Sequence, residues 1–312
     1  MNAALELPPA AKGGAAPDWA PPHPSLALDF CGMHFASPIV LLAGCVGYGE
    51  EYTRVAGFSN RDVGAVCLQG TTLAPRLGHR PHRLCETPTG LLSAVGLQNP
   101  GVDVVLAQIL PLLDFSETRF IANVWGATLA EYVELTARFD ASPVSAIELN
   151  ISSPDMQQSE AYGHDPELAA RVVAACRRVT RKPLITKLSP DQADIRMGAR
   201  LCIEAGSDAL AVINAMAGTA SDSQGGPVLG NGYGGLSGPA IKPVALLKVA
   251  QVSEVARPHG VPIIGQGGIA TPADAIEFLL AGATAIGIGT GLFYDPLLCP
   301  KINRALAAHL AA

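Results

Sequence analysis

A closed α/β barrel of eight strand–helix units is the fold this 312-residue sequence predicts, on three observations. Short β-rich runs, apolar on both faces, recur along the chain. Helix-length stretches separate most of them. Polar side chains and glycine pairs stand where the runs end. Strands buried on both faces and each followed by a helix make a parallel sheet. Eight such units over this length close into a (β/α)8 TIM barrel.

The runs fall at 38–43, 65–69, 120–124, 146–151, 184–189, 209–214, 262–266 and 285–290. Their sequences are PIVLLA, AVCLQ, FIANV, AIELNI, LITKLS, ALAVIN, PIIGQ and AIGIGT. The intervening pattern is clearest at 166–180, where Leu168, Val172, Val173, Cys176 and Val179 share one helical face. A doubly wound open sheet is the competing architecture. It would place its glycine-rich loop after the first strand, whereas here the glycine-dense turns follow the last two.

Residues 1 to about 25 are rich in Ala and Pro, with one Lys and no apolar stretch. They read as a disordered arm, neither signal peptide nor membrane helix. Residues 26–312 then form a single barrel domain. Hydrophobic residues make up 49% of the chain and charged residues 15%. No apolar run has the length of a membrane span. The net charge of −6 without a Lys/Arg cluster argues against nucleic acid. Seven scattered cysteines without a Cys-x-x-Cys pair read as free thiols in a reducing cytoplasm, with no metal site and no disulfide framework.

The run ends carry the functional signal. They present Ala43-Gly44, Gln69 with Thr71, Asn123, Asn150, Lys187, Asn214, the Gly267-Gly268 pair and Gly289-Thr290. Each Asn could cap a helix and Lys187 could snorkel, but four such residues closing apolar strands are costly unless a polar ligand satisfies them. In a barrel these ends converge on one face. The two final glycine turns let backbone N–H groups approach an anion, which implies a phosphorylated ligand. The segment NISSPD at 150–155 adds a hydroxyl at Ser153, either a helix cap or a group that takes a proton from substrate.

Further segments are GCVGYGEEY at 44–52, GTTLAPR at 70–76, GLQNPG at 96–101, GGLSGPAIKP at 234–243 and DPLLCPKI at 295–302. Together, from about residue 26 to the C-terminus, they resemble the catalytic subunit of dihydroorotate dehydrogenase. Gln98 in the third segment points to the class 1B branch. The resemblance implies FMN as cofactor, with phosphate on the Gly267, Gly268, Gly289 and Thr290 turns. Ala43, Gly44, Thr71, Asn123, Asn150 and Gly238 would complete the cofactor site. Lys187 would stand beside the flavin edge that becomes negative on reduction. Ser153 would be the base, a position where class 1 enzymes carry Cys and class 2 enzymes Ser. The substrate would meet Gln69, Ser93, Val95, Gly96, Leu97, Asn150, Asp155, Asn214 and Ala215. A homodimer and a partner subunit carrying FAD and an iron–sulfur cluster are further implied.

Four positions depart from the family pattern: Gln69 replaces a Lys, Ser93 an Asn, Asp155 an Asn and Ala215 a Ser or Thr. Losing a cation and gaining an anion shifts the pocket by two charge units, each worth about 3 kcal/mol at ~5 Å and an effective dielectric of ~20. The expectation is therefore an FMN-dependent oxidoreductase acting on a small cyclic or amide-bearing substrate other than dihydroorotate. The alternatives are a true dihydroorotate dehydrogenase with Ser153 as base, a flavin-binding protein without turnover, and a flavin-free phosphosugar barrel.

Overall fold

The computed structural model describes residues 21–154 and 162–311, so most of the N-terminal arm, and Asp155, lie outside the described residues. Eight parallel strands close a barrel: β1 (Ile39–Leu41), β2 (Ala65–Cys67), β3 (Arg119–Val124), β4 (Ala146–Asn150), β5 (Leu184–Leu188), β6 (Ala209–Val212), β7 (Ile263–Gln266) and β8 (Ala285–Ile288). Each strand pairs with its sequence neighbours, and β8 returns to β1. Several strands stop two residues short of the apolar runs that predict them. At those ends the chain leaves the ladder to turn its polar groups over the barrel mouth.

Alternation along β4 shows how the sequence builds two cores. Ala146 joins Val40, Ala65, Ile185 and Ile264 in a cluster inside the barrel. Ile147 and Leu149, pointing the other way, pack with the helix residues Leu135, Val172 and Val173. Those helices are α1 (Leu129–Asp140), α2 (Pro166–Arg177), α3 (Ile195–Glu204), α4 (Lys242–Ala256), α5 (Pro272–Leu280) and α6 (Leu298–Leu310). Asp165 caps α2 by accepting from the Glu167 and Leu168 amides, and Pro166 supplies the preset φ of a first helical turn. An antiparallel hairpin, Leu28–Phe30 with Met33–Phe35, closes the bottom. Its Phe30 and Phe35 rings stack at 5.1 Å and are fully buried in the inner cluster.

The β1–β2 connection holds only 3-10 turns, and two others add strands of their own. After β2 the chain forms strands Leu84–Thr87 and Gly90–Ser93, and after β6 it forms Met216–Gly218 and Gly234–Ser237. These four pair antiparallel into a separate sheet. Ser93 pairs with Gly235, so a loop from one side of the barrel is tied to a loop from the other.

One ionic knot sits beside the seventh strand end. Thr271 caps α5, and Asp274 reaches back to the amides of Ala270 and Thr271 at 3.0 and 2.8 Å. Lys242, which opens α4, bonds both Asp274 and Glu277. Burial alone would raise the Asp274 pKa, but the Lys242, Ala270 and Thr271 bonds hold it below its ordinary 3.8. A depressed carboxylate contributes stability above its unfolded pKa and loses it as pH falls through the folded value. Asp274→Ala is expected to lower stability at neutral pH by about 1–3 kcal/mol. The deficit relative to wild type should shrink below pH 3.8, which thermal melts at the two pH values would show.

Candidate active site

The strand ends and the antiparallel sheet enclose a cavity of about 280 Å³ at the C-terminal face of the barrel. Ala43 and Gly44 enter it after β1, Gln69 and Gly70 after β2, Asn123 from β3, and Asn150 and Ser153 from the end of β4. Lys187 enters from β5, Asn214 and Ala215 after β6, Gly267 and Gly268 after β7, and Gly289 and Thr290 after β8. Ser93, Val95, Leu97 and Gly238 line it from the loops above. Residues from all eight strand ends thus meet in one place, as the barrel geometry requires.

Lys187 is 6% exposed and is the only charged side chain lining the cavity among the described residues. Its field reaches the neighbouring thiol of Cys45, where it partly offsets the burial that pushes that pKa up to about 11. The Ser152–Ser153 segment is pinned from three sides. Ser152 Oγ donates to the Lys187 carbonyl at 2.9 Å, and Asn214 Nδ2 donates to the Ser152 carbonyl at 2.9 Å and to its hydroxyl at 3.1 Å. Tyr132 OH donates to the Asn150 carbonyl at 2.9 Å. Asn214 Nδ2 also donates to Asn150 Oδ1 at 3.3 Å, so the two amides stand side by side in the cavity wall. Ser153 is buried within this frame and opens onto the cavity.

Two expected contact residues stand outside the lining. Thr71 is buried behind it, bonding the Asn123 carbonyl through its amide and the Gln69 carbonyl through its hydroxyl. Gly96 packs against His79 and receives Arg76 at its carbonyl. Gln69 lines the cavity but donates to the Gln98 carbonyl at 3.2 Å. Conversely, Cys45, Gln266, Ser237, Ile213 and Phe293 line the cavity without having been singled out from sequence. Gln266 was legible in principle. It ends β7 at an inward position, one residue before the glycine pair.

The cavity fits a phosphorylated flavin on two observations of its own. The first is a cradle only glycine can make. Gly267 and Gly268 have φ of 124° and 87°. A Cβ on Gly268 would stand 2.9 Å from both the Gly238 carbonyl oxygen and the Lys242 amide nitrogen. The second is a pair of buried amide oxygens, Asn123 Oδ1 and Gln266 Oε1, left without protein partners, although both residues line the cavity. Buried acceptors of this kind call for a ligand or water donor. Gly268→Ala should weaken FMN binding at least tenfold and cost about 1–3 kcal/mol of apoprotein stability, since it meets backbone at positive φ. Fluorescence titration with FMN and thermal melts would measure the two effects. No group of three or more metal-ligating side chains that could hold an ion occurs among the described residues.

The chain matches the dihydroorotate dehydrogenase family over residues 25–310. It belongs to that family. A relative from Geotalea daltonii, named dihydroorotate dehydrogenase B (NAD(+)), catalytic subunit, is 44% identical over 291 residues, covering 92% of this chain and 94% of its own. One from Listeria monocytogenes with the same name is 45% identical over 288 residues, covering 91% and 93%. The fold is shared with dihydroorotate dehydrogenase from Eimeria tenella solved with ferulenol, at a TM-score of 0.80 and 21% identity, over 94% of this chain and 86% of that one. Membership in the dihydroorotate dehydrogenase family makes the protein a dehydrogenase acting on a CH–CH bond, and the flavin-free phosphosugar reading falls. The relatives also weigh against the expectation of a substrate other than dihydroorotate, because none of the changes at the substrate end has moved the chain away from proteins named for that reaction. Among the described residues no helix is long and apolar enough to cross a membrane.

Proposed function

We propose that this protein oxidises dihydroorotate to orotate at a bound FMN, residues 26–312 forming one FMN-binding domain. The observation that carries the reading is the convergence of Ser153, Lys187, Asn150 and Asn214 on one cavity in a chain whose curated relatives bear that name. Bound FMN would supply a two-electron acceptor that takes up a hydride. Asn150 and Asn214 hold the polar edges of the substrate ring. Ser153 Oγ takes the proton from one ring carbon while the hydrogen on the neighbouring carbon leaves as hydride. A serine hydroxyl is a weak acid, so the proton must pass onward from Oγ for each turnover. Lys187, buried at 6% exposure, stabilises negative charge arising on the acceptor.

The electrons leave through a partner. The relatives are named as catalytic subunits, which supports an assembly with a second subunit carrying FAD and an iron–sulfur cluster, around a homodimer of this chain. The seven cysteines are free, which supports a cytoplasmic location.

One observation favours a second reading. Gln69, Ser93 and Ala215 leave the substrate end of the lining without a cation among the described residues, which suits a neutral ring better than a carboxylate. Anaerobic reduction by dihydroorotate and by dihydrouracil (the same ring without the carboxylate) separates the readings. Faster bleaching of the flavin by dihydroorotate is expected. Bleaching by dihydrouracil alone would transfer the assignment to a neutral substrate. Bleaching by neither would point to a flavin protein without this turnover.

A further inference from the structure

Four adjacent strands carry inward polar side chains at and below the cavity floor: Cys67 on β2, Asn123 on β3, Glu148 on β4 and Lys187 on β5. Glu148 is 2% exposed and lies beneath the lining, with no direct access to a ligand. Its Oε1 accepts from Asn123 Nδ2 at 2.6 Å and from Cys67 Sγ at 3.3 Å. Burial and the nearby Glu148 charge push the Cys67 pKa well up, so that thiol retains its proton to donate. A carboxylate only accepts, and a short bond to it is a strong one. It therefore dictates which end of the Asn123 amide points down. The oxygen is left on the side away from Glu148, beside the lining residue Gly70, buried and without a protein partner. Gly70 leaves the space beside it free of a side chain: a Cβ there would stand 2.9 Å from Asn123 Oδ1.

We propose that Glu148 is a positioning residue, which locks the Asn123 carboxamide with its oxygen toward the cavity and so makes this corner a receptor for a ring imide N–H. This rests on the reading of the cavity as a flavin site. The location favours a ring over a sugar or phosphate hydroxyl. The glycine turns that suit a phosphate follow β7 and β8, whereas β3 lies four strands from the first and three from the second around the barrel. The end of a ligand opposite its phosphate thus falls on the Asn123 side of the cavity. An imide N–H between two carbonyls is a good donor. Both the pyrimidinedione ring of FMN and dihydroorotate carry one.

N-methylation removes that donor and leaves Oδ1 buried and unpaired, at a penalty of roughly ten- to hundredfold in affinity. The test titrates apoprotein with FMN and with FMN methylated on its imide nitrogen. In parallel it compares KM for dihydroorotate with that for the analogue methylated on its imide nitrogen. Wild type should discriminate in one arm, and that arm identifies the source of the N–H. Glu148→Met frees the Asn123 amide to rotate and should abolish the discrimination. Glu148→Gln keeps an oxygen for Nδ2 and should restore it. Gly70→Ala covers Oδ1 without touching the network below, and it decides the matter should Glu148→Met fail to fold. It should lose the preference for the N–H form while still folding with a cooperative melt. Absence of discrimination in both arms, or its retention in Glu148→Met or Gly70→Ala, overturns the proposal. So does equal loss in Glu148→Met and Glu148→Gln, since the carboxylate would then act through charge. A wild type that binds no FMN at all would instead sink the flavin reading.

Discussion

Ser153→Ala is expected to slow reduction of the bound flavin by dihydroorotate by about 10²–10⁴-fold, the usual worth of a positioned general base. FMN affinity should change little, because bonds from Ser152, Asn214 and Tyr132 hold the segment in place. Ser153→Cys makes the sharper comparison. A thiol has an ordinary pKa of about 8.5, far below that of an alcohol, so the cysteine variant should reach its maximal rate at lower pH than wild type. Anaerobic stopped-flow across a pH series would measure both effects. If Ser153→Ala keeps wild-type rates, the proton goes elsewhere and Ser153 is only part of the cavity wall.

Lys187→Ala should have the second large effect, slowing flavin reduction by about 10²–10³-fold, as expected when a preorganised electrostatic partner is removed. Burial explains the size: at 6% exposure the cation is poorly screened, and no other charged side chain lines the cavity among the described residues to replace it. The flavin midpoint potential should fall, because the reduced form loses more stabilisation than the oxidised form. Lys187→Arg should recover part of the potential but less of the rate, since a planar fork does not place its charge where an ammonium does. Reductive titration with a reference dye would show the shift. An unchanged potential would mean that Lys187 supports the floor without stabilising reduced cofactor.

The expectation about substrate illustrates a limit of reading positions one at a time. Gln69, Ser93 and Ala215 do lie on the lining. Gln69, however, is turned toward the Gln98 carbonyl, which Arg83 helps hold through the Gln98 side chain at 2.7 Å. The loop around it is a bonded unit, and a charge count over single residues says little about where its dipoles point. The glycine turns were more legible because their demands are local. A glycine pair at a strand end either leaves room for an anion or does not.

The sequence alone determined the barrel, its eight strands and the residues at their ends, because those follow from alternation, helix periodicity and glycine conformational freedom within a few residues of chain. It could not show the antiparallel sheet over the cavity. There Gly234–Ser237 pairs with Gly90–Ser93, and Ser237 Oγ reaches the Leu91 carbonyl across 146 positions of sequence. Nor could it show that Glu148, one more residue in an apolar strand, bonds Asn123 and Cys67 from the two preceding strands. Short Gly-rich strands such as Gly90–Ser93 and Gly234–Ser237 have weak local preferences. Their pairing, and the direction in which a buried amide points, are set only when closure of the barrel brings distant segments together and every buried donor must find an acceptor.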